Sequence, residues 1–437
     1  GHGSGVRVAG TSRTENPFLT AERRAMDAAL GAASAASAVH ARITGAIGEP
    51  GAAGALATRA TALETGLMAA VASPQSPAQL ADTVAAARGL AQSLNAISAE
   101  NVRARTEADA EIARQVGQVN DALHAVADIN AKINTLRLKG EDTTGLQDER
   151  DRVIDGIASV IPIRTVKRDG DQLAIYSANG GALLDGRVWE LRFQQGPTVI
   201  TPEMTLGAPL GGLMQDQGAP GGPVALAAGT GGGLMDGGSL GALFETRDRI
   251  VPEFDAEIDR YAGEMIARFR DLMPAAALDG AGQGLFVASG GGGAGLAGRI
   301  AVNAAVDPAQ GGEAWRLRAG LAAATPGDEG FGGHLQGLAD AMSANRAPAG
   351  WVSQNAASSA AIMASEIASF YAGRGARSDD AQAYLTARQT VLADSEANAV
   401  GVDSDRELQA LILVEQAYAA NARVLSVIDG LMKLLLE

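Results

Sequence analysis

The sequence predicts a mainly α protein with a β insert. Both ends of the chain are expected to build a long helical bundle or coiled-coil domain of an elongated, multi-domain rod, with a small antiparallel β domain between them. Three observations predict this. Aromatic residues are only 4% of the chain and alanine dominates its apolar content, which suits long thin helices better than one large core. Apolar residues recur at alternating spacings of three and four over two runs, at 112–133 and 411–435. Between these runs lie short β-rich segments separated by glycine-rich turns. At 437 residues the chain also exceeds what a single core usually organises.

Helix is expected over Thr20 to Ile47 and Ala52 to Val71, broken at Gly48-Glu49-Pro50-Gly51. After a second break at Ser73-Pro74-Gln75-Ser76-Pro77, Ser76 caps the next helix. Pro77 takes its first position, where a missing N–H costs nothing. Ile112, Val116, Val119, Leu123, Val126, Asn130 and Ile133 form a heptad seam with one polar member, so this helix calls for a partner helix. Lys139-Gly140 stops it. A short amphipathic helix opens at Gly145 and runs through Ile154 and Ile157.

The period then changes. Ile161 to Val166, Gln172 to Tyr176, Ala182 to Leu184 and Val188 to Phe193 read as strands, with turns at Arg168–Asp171 and Asn179–Gly181. Helix returns from Ser239 to about Met273, kinked or restarted at Pro252. Leu243, Ile250, Phe254, Ile258, Tyr261, Met265 and Phe269 form its apolar stripe. Gly290 to Gly295 is a loop, Arg299 to Leu317 is expected to add strands, and Ser353 to Glu437 is helical. The expected division is therefore a rod domain begun by 1–157, a β domain with a Gly-rich linker at 158–238, and a returning helix at 239–278. A loop-rich segment at 279–352, the closing part of the rod at 353–400 and a coiled-coil helix at 401–437 complete it.

Composition excludes several functions. A net charge of −15 argues against general nucleic-acid binding, which needs cations to displace counterions from phosphates. With no cysteine there are no disulfides, thiolate zinc sites or cysteine nucleophiles. The histidines His2, His40, His124 and His334 form no local pair, so no metal, cofactor or catalytic site is expected. Gly237-Gly238-Ser239-Leu240-Gly241 spells a nucleophile elbow, but no strand precedes it. Ser239 reads instead as an N-cap. Glycine tracts near 229 and 280 lack a P-loop lysine. Asp148, Glu149, Asp151 and Asp155 alternate with Arg150 and Arg152, which reads as a solvated, self-paired helix face. Residues 1–20 carry no signal-peptide pattern, and no run comes near the roughly 20 apolar residues of a membrane span.

One signal exceeds its bland reading. Leu411, Val414, Tyr418, Asn421, Leu425, Ile428, Met432 and Leu435 make a second heptad seam, again with a single polar asparagine. Leu434-Leu435-Leu436 widens its apolar face. An apolar stripe of this length calls for a covering surface. These eight residues are the expected assembly interface.

The same segment carries a resemblance. Gly401-Val402-Asp403-Ser404-Asp405-Arg406-Glu407, then Leu411, then Glu415 to Val424, resembles the C-terminal signature of bacterial flagellar axial proteins. Gln416-Ala417-Tyr418 with Asn421-Ala422-Arg423-Val424 is its most specific part. Gly5-Val6-Arg7-Val8 with Pro17-Phe18-Leu19, Leu146 to Asp151, and Gly238 to Leu243 leading to Arg247-Asp248 place the resemblance with the hook-associated proteins of the hook–filament junction. The resemblance implies a structural, non-enzymatic role outside the cell, reached by export without a cleaved signal peptide. It implies terminal helices lining an axial channel, with helical and β domains outside them. Implied partners are further copies, hook protein, the second junction protein and an export chaperone on the C-terminal helix, with no nucleic acid and no membrane. The Asn-rich helix that such proteins carry before the position of Gly5 is not in this sequence, so the C-terminal seam is expected to dock on its own chain or a neighbouring copy. Other readings are a second junction protein or a flagellin, an adhesin binding through Ile161 to Phe193, and a hydrolase using Ser239.

Overall fold

Long uninterrupted helices arise here because alanine loses no side-chain entropy on entering a helix and leaves little bulk to hinder packing. The computed structural model describes residues 13–216, 224–226, 233, 236–351, 357–401 and 404–436; the Gly5–Val8 stretch and much of the linker before Gly238 lie outside the described residues. The chain divides into two compact units, residues 24–389 and residues 1–23 with 390–437.

In the larger unit, the helices α1 (Pro17–Ile47, which begins in the smaller unit), α2 (Leu56–Ala72) and α3 (Pro77–Leu138) follow one another with short turns. The Ser76 hydroxyl accepts from the Gln79 N–H at 3.3 Å and Pro77 sits in the first turn, as the sequence predicts. With 62 residues α3 is about 93 Å long and serves both cores of the unit. Its first half joins α2, α6 (Val251–Asp271), α8 (Gly333–Ser343) and the start of α9 (Ala360–Val400) in one apolar cluster. Its second half supplies the heptad seam to another cluster.

That seam does not find a lone partner helix. Ile112, Val116, Val119, Leu123 and Val126 pack on Ile154, Ile157 and Ala158 of α4 (Thr144–Val160), and on Leu173, Ile175, Leu183 and Leu184 of the β domain. Strands β1 (Ile163–Lys167), β2 (Leu173–Ser177) and β3 (Ala182–Leu184) form an antiparallel sheet in that order. β4 (Leu191–Phe193) follows, then the two-residue pair β5 (Thr205–Leu206) and β6 (Pro209–Leu210), and finally β7 (Leu213–Gln215) and β8 (Val224–Leu226). The second sheet has the order β4-β7-β8.

Asn130, the polar member of the seam, docks this sheet. Its amide donates to the Leu173 carbonyl at 2.9 Å, and its oxygen accepts from the Leu173 N–H at 3.2 Å and from Arg150 at 3.0 Å. Asn120 grips Leu191 in the same two-bond fashion, at 2.8 and 2.9 Å. A side-chain amide thus does the work of one strand residue. Asn130→Leu is expected to cost about 2–3 kcal/mol, because it strips both backbone groups of Leu173 and one donor of Arg150 of a buried partner. Urea unfolding followed by circular dichroism measures it, and an unchanged midpoint would refute this role.

Helix α5 (Gly238–Glu245) runs into a π-helical turn, Thr246–Ile250, in which the Val251 N–H reaches back to the Thr246 carbonyl. Pro252 then lies in the first turn of α6, so the sequence expectation of a new start holds. Every member of the α6 stripe from Ile250 to Phe269 is buried. Between Arg299 and Leu317 only β10 (Ile300–Val302) is strand; it pairs with β9 (Phe286–Ala288). The rest turns too tightly for a ladder, with the Asn303 and Asp307 side chains accepting from the N–H groups of Ala305 and Ala309, and ends in the helical turn α7 (Arg316–Ala319).

The smaller unit contains the first residues of α1, the end of α9, and α10 (Ser404–Leu436). Within it, Thr20 and Arg23 both donate to the Glu396 carboxylate.

Candidate assembly surface

Helix α10 carries all eight residues of the expected interface, and none of them is covered. Leu411, Val414, Tyr418 and Leu425 are 64–73% exposed, Ile428 and Met432 are 50% and 60%, Leu435 is 83%, and Asn421 is exposed as well. Leu434 and Leu436 have side chains outside the described residues. A second line of large apolar residues was missed by the sequence reading. Leu413, Val424, Val427 and Leu431 are 56–65% exposed and, with Ala417 and Ala420, repeat at spacings of 4, 3, 4, 3 and 4. On a 3.6-residue helix this line lies beside the first, so the apolar arc covers nearly half the circumference. The spacing itself carried the signal; it was hidden because the two lines interleave in the sequence. Glu415, Arg423, Asp429 and Lys433 mark the opposite stripe, with Lys433 paired to Asp429 at 3.2 Å.

An 18-residue window within Leu408–Lys433 reaches a mean hydropathy of 1.3, and the stretch is long enough to cross a membrane, which corrects the expectation that no run comes near it. Four charged residues within that stretch make hydrocarbon a costly medium for it.

Residues weighed for chemistry in the sequence have partners in the fold. Ser239 is not an N-cap: Gly237 holds that position, and the Ser239 hydroxyl donates to Gln115 on α3 at 3.0 Å. The reason lies one residue earlier. Gly238 has φ +64°, and a Cβ there would lie 2.1 Å from the Val160 carbonyl oxygen, so the chain enters α5 flush against the end of α4. Nor is the 148–155 face self-paired. Asp151 and Asp155 hold Arg24 of α1 at 3.0 and 2.6 Å, while Arg150 is buried and donates to Asn130 and to the Asp171 carbonyl. Arg150, Asp151 and Asp155 thus all find partners on other elements. His124 sits half-exposed beside Glu190 at 3.1 Å, and His334 faces the Arg318 carbonyl. Burial, with Arg374 and Arg249 nearby, holds His40 below its usual range. His2 lies outside the described residues, and among these no three His, Asp or Glu side chains gather as a metal site.

The larger unit instead buries a charged keystone. Arg247, on the π turn, is fully enclosed and pairs with Asp109 of α3 at 2.6 Å and with Asp248 at 2.8 Å. Arg105, one α3 turn away, donates to the Arg247, Thr201 and Met204 carbonyls. Asp109 also accepts from the Gly196 N–H at 2.8 Å, so one carboxylate joins α3, the π turn and the loop after β4. The sequence singles out Arg247-Asp248 only through its resemblance; nothing in the spacing reveals Asp109 as the partner.

The family model for the flagellar hook-associated protein FlgK helical domain matches residues 41–286, from the end of α1 to the start of β9 and including this keystone. The chain belongs to the FlgK family. Among solved structures it resembles the flagellar hook junction protein FlgK from Burkholderia pseudomallei, with a TM-score of 0.51 and 19% identity. That match covers 62% of this chain and 47% of the Burkholderia protein, so the chain spans about half the length of that FlgK, and the likeness is one of fold. No curated protein matches. The α10 surface lies beyond the matched FlgK domain.

Proposed function

We propose that this chain is a structural component of the bacterial flagellum, placed at the junction between hook and filament and joined to its neighbours through α10. Membership of a hook-associated family supports the flagellar role. The single observation that carries the mode of assembly is the exposed seam from Leu411 to Leu435. An arc of that area is stable in water only when other subunits cover it, so stacking supplies a core that the isolated helix lacks. The partners are further copies of the chain, hook protein and the second junction protein. During export a chaperone masks the same helix. The site of action is outside the cell, reached without a cleaved signal peptide. The work is mechanical adaptation between two differently flexing tubes, with no enzymatic step, cofactor or metal.

Leu425→Asp and Tyr418→Asp test this reading. A carboxylate buried in an apolar seam has no counter-charge, so incorporation into flagella is expected to fall below detection while circular dichroism and the melting of the larger unit stay unchanged. Normal motility with the variant present in purified flagella would sink the proposal.

A further inference from the structure

Helix α9 changes character in its middle. Up to Tyr371 its inward positions are apolar and buried: Met363, Ala364, Ile367, Ala368 and Tyr371 belong to the core that α3 and α6 share. Tyr371 meets Phe254 edge-on at 4.6 Å. Beyond Gly375 none of the helix's described residues is buried. Its inward positions in the larger unit are the half-buried Ser378, Gln382, Leu385 and Gln389, at spacings of 3, 4, 3 and 4 from Gly375.

Helix α1 meets this half with polar groups of its own. The Ser37 hydroxyl donates to Asp379 at 2.6 Å, Gln382 donates to the Ser34 hydroxyl at 3.2 Å, and Gln389 donates to Asp27 at 3.1 Å. An antiparallel helix pair closed by side-chain hydrogen bonds exchanges them for water at little net cost, whereas the apolar half must re-expose buried surface to open.

The switch from apolar to polar coincides with Gly373 and Gly375. Neither glycine is required by its surroundings. A Cβ on Gly375 would touch Thr44 at 3.6 Å, and one on Gly373 would touch Arg377 at 3.7 Å, both ordinary contacts, and neither residue has a positive φ. Two glycines in a helix interior weaken it locally without any packing reason to be there.

We propose that Gly373–Gly375 is a hinge, and that the part of α9 from 376 to 389 lifts from α1 while 360–371 stays docked, the Thr20 and Arg23 bonds to Glu396 opening with it. The device gives the molecule a compliant arm on a rigid base, and it stands whether or not the chain works at a hook–filament junction.

Hydrogen–deuterium exchange read by mass spectrometry on the full chain tests it. Amides in 376–389 are expected to exchange roughly 100-fold faster than those in 360–371. Gly373→Ala with Gly375→Ala is expected to slow the 376–389 amides about 10-fold and leave 360–371 unchanged. Ser34→Leu with Gln382→Leu, which makes the seam apolar, is expected to slow the same amides while the glycines remain. Equal rates in the two halves of the parent chain would overturn the proposal, as would glycine variants that leave 376–389 unaffected or slow both halves alike.

Discussion

Arg247→Met is expected to destabilise the larger unit by about 3–5 kcal/mol, the range for breaking one side of a buried ion pair. The guanidinium sits against the edge-to-face pair of Phe193 and Phe244, 5.5 and 5.0 Å from the two rings, and its contact with Asp109 is itself buried. Removing it leaves the Asp109 carboxylate out of water with a backbone N–H but no counter-charge. Asp109→Leu alone is expected to cost less, because Arg247 keeps Asp248 and the Gly211 carbonyl. In the double variant the loss should fall short of the sum of the two by at least about 1 kcal/mol, the signature of directly coupled residues. Urea titrations of the four proteins give the cycle. Strict additivity would mean that the pair does not act as the joint between α3, the π turn and the loop after β4.

Asp255→Asn is expected to stabilise the protein at pH 8 and to leave it unchanged at pH 4. Asp255 is a buried residue of α6, where burial pushes its carboxyl from 3.8 up to about 6. An Asn101 hydrogen bond at 3.0 Å and the charge of Arg105 oppose that rise, while Asp259 and Glu203 add to it. Between pH 4 and 6 the folded chain therefore keeps a proton that the unfolded chain has lost, and stability falls as pH rises through this window. Above pH 6 the ionised, buried group costs about 3 kcal/mol. Asparagine keeps an acceptor for Asn101 and cannot ionise, so a gain of about 1–3 kcal/mol is expected at pH 8. Asp279 and Asp307 run in the opposite sense: their burial is outweighed by hydrogen bonds, from Gln283 and Asn303 in one case and Arg88 and Gln310 in the other. The difference between variant and parent therefore isolates Asp255. A gain of the same size at pH 4 and pH 8 would count against the assignment.

Several elements were legible because their causes are local. Ser76-Pro77 starts α3 by capping chemistry, and Lys139-Gly140 ends it with glycine at φ +74°. The α6 stripe and the α10 seam follow from 3.6-residue geometry acting on nearby residues. The errors about polar residues share one cause, namely partners far away in the chain. Asn130 was rightly singled out as polar in an apolar seam, yet its partner is the backbone of Leu173, 43 residues later. Arg24 and Asp155 lie 131 residues apart, so the acidic face of α4 looked self-contained. Ser239 stands two residues past the cap because the close approach of Gly238 to Val160 sets where α5 begins.

The sequence by itself determined the alternation of long helices with a β insert, and the apolar stripe along α10. Periodicity and capping act within a few residues, and there the code is local. Only the tertiary structure decided that the α3 seam covers a sheet as well as a helix, that Arg247 and Asp109 share one dry site, and that α9 turns polar where it leaves the core. A buried charge or amide is stable only with a specific partner in three dimensions, and residue type alone does not name that partner.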